Sequence, residues 1–192
     1  MDITIRRACE NERSFIALCI AEGFERDFSF FSKKTESVAK ALGPGIHPEK
    51  FYVAACGEGI VGVAGISDCS GRAVSVDGRA CRKHFGWLMG TVARLVLKNE
   101  FESPLPYPPG TGFIEFVATR KAFRRRGVAA ALLKGSMRQA GYGEYVLDVI
   151  EENRPAVACY VGLGFQCFEK KKQKNGYTKM YMRLGMDECR WK

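Results

Sequence analysis

The chain has 192 residues, 46% of them hydrophobic and 27% charged, with a formal net charge of +9. That apolar content excludes a disordered tail or a fibre, and the length fits a single domain over residues 1–192. The excess of Lys and Arg points to an acidic partner: a phosphorylated cofactor, nucleic acid or a membrane surface. No stretch reaches the roughly 18 uninterrupted apolar residues of a membrane span. The opening "MDITIRRACE" lacks the apolar centre of a secretory signal, so a cytoplasmic protein with no membrane partner is expected. The eight cysteines include no C-x-x-C pair, and His47 and His84 stand apart from each other. Free thiols and no metal site are therefore expected.

In chain order, "DITIRRA" alternates Ile3 and Ile5 and predicts a first strand. "NERSFIALCIAEGF" sets Ile16, Cys19, Ile20 and Gly23 on one stripe of a helix that ends at a glycine. A second helix over "KKTESVAKAL" stops at Gly43, Pro44 and Gly45. "FYVAACGEGIVGVAGISD" predicts two strands around Gly57, Glu58 and Gly59. "CSGRAVSVDGRA" reads equally as a loop or a short added hairpin. From about 81 to 99 the spacing predicts one helix, with Phe85, Leu88, Val92, Leu95 and Val96 on its buried side. The four prolines of "ESPLPYPPGTG" make a loop.

The second half is more regular. "FIEFVAT" and "EYVLDVIEE" read as strands around the helix "GVAAALLKGSMRQA". "NRPAVACYVGLG" opens a helix with Asn153 as N-cap and Pro155 in its first turn. "FQCFEKKKQ" and "YTKMYMRL" flank Asn175-Gly176, a strong hairpin signal. The order of elements gives an α/β mixed sheet.

"RRRGVAAALL" stands where a strand gives way to a helix. Arg124, Gly127 and Ala129 form R-x-x-G-x-A. Gly127 permits close backbone approach, and the amides around 125–129 share one direction with the helix dipole behind them. The pattern fits an anion site; a solvated basic turn is the plainer alternative. No G-K-[ST] or G-x-G-x-x-G follows, so neither a P-loop nor a dinucleotide fingerprint is present.

At these residues the chain resembles the GNAT superfamily of acyl-CoA-dependent N-acyltransferases. "RRRGVA" matches the signature [Q/R]-x-x-G-x-[G/A], "NRPAVACYVGLGF" looks like the later N-x-x-A-x-x-x-Y-x-x-x-GF segment, and "FQCFEKKKQKNGYTKMYMRL" resembles the closing hairpin. The likeness is firm over residues 112–184 and looser before them. It implies a mostly antiparallel α/β (α+β) sheet of about six to seven strands flanked by helices, with an extra helix between the third and fourth strands. It also implies transfer of the acetyl group of acetyl-CoA to a primary amine of a small molecule or peptide, by direct attack in a ternary complex. No metal and no nucleic acid are expected, and a homodimer is compatible.

The resemblance further implies that Arg124, Arg125, Arg126, Gly127, Val128 and Ala129 hold the cofactor's pyrophosphate. Val117, Ala118 and Thr119 would line its pantetheine arm at a bulge in the strand, with an N–H near Val117 polarising the thioester carbonyl. Asn153 and Tyr160, two helical turns apart, would close the channel, with Tyr160 as the acid for the leaving thiolate. Glu115 is the candidate base, because a regular strand puts it on one face with Val117 and Thr119; Asp148 and water are the rivals. Cys159 has no histidine near it in sequence and reads as structural. Phe24, Phe28, Phe30 and Phe31 read either as a wall for the acceptor or as core. A non-catalytic acyl-CoA sensor and a basic nucleic-acid module are the alternative functions.

Overall fold

Strands and helices follow the apolar patterns closely, and a computed structural model describes residues 2–173 and 176–186. The strands are β1 (Thr4–Arg7), β2 (Phe51–Cys56), β3 (Gly59–Ser67), β4 (Thr111–Thr119), β5 (Glu144–Ile150), β6 (Gln166–Lys172) and β7 (Thr178–Gly185). They form one seven-stranded sheet in the order β1-β2-β3-β4-β5-β7-β6. Every neighbouring pair is antiparallel except β4 and β5. A parallel pair requires a crossover, and α6 (Val128–Ala140) supplies it. The expected Asn-Gly turn between β6 and β7 has Asn175 outside the described residues.

The remaining helices are α1 (Arg13–Gly23), α2 (Glu25–Phe28), α3 (Thr35–Leu42), α4 (Gly78–Phe85), α5 (Trp87–Phe101) and α7 (Arg154–Gly162). One face of the sheet packs Tyr52, Ala64 and Leu147 against Leu132, Leu133 and Met137 of α6. The other packs Phe51, Val53 and Val63 against Ile16 and Ile20 of α1 and Val38 of α3. Each buried Leu, Ile, Val, Phe or Met side chain among them contributes about 1.5–3 kcal/mol.

Two expectations are corrected between β3 and β4. The single helix over 81–99 is two helices, because Gly86 takes a φ of 83° between them. The buried side of α5 is also not the expected one: Gly90, Ala93, Leu97 and Phe101 are buried, whereas Leu88, Val92, Leu95 and Val96 are exposed. The reason is close helix packing. A Cβ at Gly90 would lie 2.4 Å from the Cα of Arg82, so α4 meets α5 on its small-residue side. The segment "CSGRAVSVDGRA" is a loop leading into α4, with isolated bridges at Asp68–Gly71 and Ile46–Val74. The four early phenylalanines also divide: Phe28 is core, Phe24 and Phe31 are half-buried, and Phe30 is exposed.

Candidate active site

The turn after β4 is built to leave amides unpaired. Buried Phe123 anchors a short 3-10 turn (Lys121–Phe123), and the Arg124 Nε donates to the Thr119 carbonyl at 3.1 Å. Arg125 has a φ of 61° and Gly127 one of 78°. A positive φ on arginine is strained and persists only where the surroundings impose it. The first amide bonded across the start of α6 is that of Ala131, to the Gly127 carbonyl at 3.0 Å. The amides of Val128, Ala129 and Ala130 precede it, and no side chain caps them. A Cβ at Gly127 would meet nothing within 4 Å, so the N-terminus of α6 opens onto free space. Arg124, Arg125 and Arg126 stand exposed around it. Free donors, helix dipole and cationic rim together make an anion cradle.

The strand leading into that turn is interrupted. Val63 pairs with Ala118 and Gly65 with Glu115, so two β4 residues oppose the single residue Ala64. Phe116, at the bulge, has a φ of 54°. On its other edge β4 pairs with β5 only from Thr111 to Ile114, the last partner being Leu147. Beyond that pair the parallel strands separate, and the β4 edge over 115–119 has no partner strand. The resulting wedge runs toward the α6 cradle. Val117 packs with the α6-side core and Ala118 with the opposite core, its Cβ 2.8 Å from where a Cβ of Gly23 would stand. Thr119 pairs with Gly62.

The bulge corrects the expected alternation. Glu115 bonds Ala73, which belongs to the α1-side core, while Val117 faces α6. The two residues therefore lie on opposite faces, and Glu115 does not share the side of Val117. Its carboxylate is fully engaged: Arg72 donates to Oε2 from Nη2 at 2.5 Å and from Nε at 3.2 Å. The Ala73 amide donates to Oε1 at 3.0 Å, and the Ser67 hydroxyl donates to the same oxygen.

Asp148 follows Leu147, just as Glu115 follows Ile114, so the two carboxylates flank the apex of the wedge. Asp148 pairs with Lys179 at 3.0 Å, and Lys179 reaches Glu100 at 2.9 Å. Burial lowers the Lys179 pKa, but its two carboxylates win and hold it above the usual lysine range. Sequence reasoning missed both cations. The Arg72–Glu115 contact spans 43 positions, and no local spacing announces it.

On α7, Asn153 caps the helix, its Oδ1 accepting from the Ala156 amide at 3.4 Å. Tyr160 is buried with its ring edge-on to Phe165, centroids 6.1 Å apart. Burial pushes its phenol well above the ordinary tyrosine value, and nearby Cys159 and Asp148 push the same way. Among the described residues nothing hydrogen-bonds its hydroxyl. Burial also raises the Cys159 thiol, which leaves it a poor nucleophile. No cluster of three His, Cys, Asp or Glu side chains able to hold a metal occurs among the described residues.

Residues 20–165 match the family model "Acetyltransferase (GNAT) family". The chain belongs to the GNAT family of acetyltransferases. No curated protein sequence matches it. Among solved structures it is similar to a Corynebacterium glutamicum protein described as histone acetyltransferase HPA2 and related acetyltransferase. That pair shares 22% identity, with 95% of this chain and 96% of the other covered and a TM-score of 0.66. An N-acetyltransferase from Staphylococcus aureus Mu50 matches at 15% identity, with 94% and 100% covered and a TM-score of 0.64. The NatC complex bound to Gag peptide and CoA matches at 15% identity, with 97% and 99% covered and a TM-score of 0.56.

In this GNAT chain the turn after β4 joins the wedge to the cradle, and Tyr160 packs into the same α6-side core as Val117. Residues far apart in sequence reach it because β4, α6 and β5 are consecutive while α7 follows directly from β5. A CoA thioester fits these residues. Its phosphates match the unpaired amides and open space at Gly127, and its flexible arm matches the unpaired edge of β4.

Proposed function

We propose that this chain is an N-acetyltransferase that moves the acetyl group of acetyl-CoA to a primary amine of a small molecule or peptide. One observation carries the reading most of the way: the wedge opening at Ile114 and Leu147 leads into the uncapped start of α6 at Gly127. When bound, acetyl-CoA supplies a thioester as acyl donor. The backbone of 125–129 holds its phosphates, assisted by Arg124, Arg125 and Arg126. The unpaired edge of Val117, Ala118 and Thr119 aligns the arm, and an N–H near Val117 polarises the acyl carbonyl.

The acceptor amine attacks directly in a ternary complex, after its ammonium has lost a proton. Asp148 at the wedge apex takes that proton, directly or through water. Glu115, bound to Arg72 on its Oε2, is a positioning residue that fixes the apex wall. Tyr160 stays protonated at neutral pH and donates toward the departing thiolate. Asn153 orients the start of α7 and with it Tyr160. The reaction fits a cytoplasmic setting, and residues 1–192 act as one domain.

The test is release of free CoA thiol from acetyl-CoA across a panel of small amines and peptide N-termini. Amine-dependent thiol release that drops in Tyr160→Phe supports the enzyme reading. Tight acetyl-CoA binding with no release for any amine replaces it with the sensor reading.

A further inference from the structure

We propose that the exposed face of α5, together with the arginines of α4, docks on an anionic phospholipid bilayer. Between Trp87 and Val96 the exposed residues of α5 are apolar except Thr91 and Arg94: Trp87 is 76% exposed, Leu88 73% and Leu95 63%, with Val92 and Val96 beside them. Residues seven apart on a helix differ by only about 20° of rotation, so Leu88 and Leu95 share one line along it. Val92 lies next to that line. From Trp87 to Val96 the strip runs about 14 Å along the helix. Aromatic rings extend the strip at one end, because Phe30 meets Phe31 at 5.4 Å and Phe31 stacks on Phe85 at 6.1 Å. Phe85 stands two residues before Trp87.

One flank of this strip is cationic. Trp87 and Arg94, again seven apart, share a line. Arg94, Arg79 and Arg82 line an open cavity of about 520 Å³ with Asp77 and Gly78. No carboxylate of the described residues lies within 4 Å of these three guanidinium groups. Asp77 accepts from the Arg79 and Ala80 amides at 2.7 and 3.0 Å and offsets part of the charge of Arg79 and Arg82, so the cluster of three arginines keeps a positive excess. Glu102 accepts from the Val76 amide at 2.8 Å and pairs with Lys98 at 3.9 Å, while Glu100 pairs with Lys179.

An apolar strip with tryptophan at its end and an excess of arginine beside it complements headgroup phosphates above an acyl boundary. A second copy would bring a like-charged rim from a chain of net charge +9. A nucleic acid would match the arginines, but beyond the aromatic end the strip is leucine and valine, which cannot stack on bases.

The chain has two tryptophans, Trp87 and Trp191, so Trp191→Phe leaves Trp87 as the only indole emitter. The full chain with that change is titrated at low salt with vesicles of phosphatidylcholine and phosphatidylserine. The expected result is a blue shift of Trp87 emission, quenching by brominated acyl chains, and weak binding to phosphatidylcholine alone. Changing Arg79, Arg82 and Arg94 to Gln should reduce partitioning on the order of 100-fold. Leu88→Glu with Leu95→Glu should abolish the shift while circular dichroism stays unchanged. Unshifted emission with the anionic vesicles overturns the proposal, as does equal binding to neutral ones. A shift that needs no lipid and tracks dimerisation in sedimentation also overturns it, and assigns the face to a second copy.

Discussion

Arg72 Nη2 lies 2.5 Å from Glu115 Oε2, and both side chains are nearly buried. The pair ties the loop after β3 to the strand that forms one wall of the wedge. Removing one partner of a buried ion pair leaves an uncompensated charge and costs about 3–5 kcal/mol. Arg72→Met and Glu115→Ala should each lose stability of that order in urea unfolding. Glu115→Gln should keep the shape of the kcat/KM pH profile, because the carboxylate positions the wall. Loss of the acidic limb in Glu115→Gln, with stability unchanged, would instead make Glu115 the base.

Tyr160→Phe should lower kcat by about 10²–10⁴, the range for loss of a general acid, with acetyl-CoA affinity nearly unchanged. Little stability should be lost, since no group bonds the hydroxyl among the described residues. Because burial holds the phenol above its ordinary range, the group keeps its proton through neutral and mildly alkaline pH. Tyr160 should therefore cause no alkaline fall in kcat below the ordinary tyrosine pKa. Steady-state kinetics across pH check both points.

Asp68 gives an acid-stability prediction. Its burial disfavours the charge, yet bonds from Ser70, Tyr142 and Lys50 overcome this and hold the carboxyl below its usual range. A depressed folded pKa gives stability that is present above the unfolded value and lost as pH falls toward the folded one. Thermal melts of the wild type should drop through and below the ordinary carboxylate range. Asp68→Asn should flatten that dependence, and Tyr142→Phe should weaken it.

Asn153→Ala removes the N-cap of α7 and should cost about 1 kcal/mol, with Asn153→Asp close to wild type. Chemical denaturation measures both. The same Asn153→Ala change should lower kcat more than it raises the KM for acetyl-CoA, because it loosens the turn that leads to Tyr160.

What the sequence made legible was local. "RRRGVA" announces a strand-to-helix turn whose glycine permits close backbone approach, and the helix does start there, at Gly127. Asn153 and Pro155 mark the start of α7 in the same way. The bulge at Phe116 was not legible from the residues, because it depends on β3 register at Val63 and Gly65 rather than on a turn residue. Glu115 consequently changes face, and its partner Arg72 comes from a segment without periodicity. Helical spacing also found the apolar line Leu88–Val92–Leu95 on α5 but took it for the core side. Spacing reports that a stripe exists and not what covers it; here close packing at Gly90 and Ala93 claims the core.

The most direct measurement is a calorimetric titration of the purified protein with acetyl-CoA, beside Gly127→Glu and Gly127→Asn. Asparagine tolerates the left-handed backbone and serves as the control for folding. Glutamate brings a side chain and a negative charge into the open space at the start of α6. The predicted result is saturable binding by the wild type, lost in Gly127→Glu while its thermal transition persists. No binding by the folded wild type, or equal binding by Gly127→Glu, would contradict acetyl-CoA binding in this cradle.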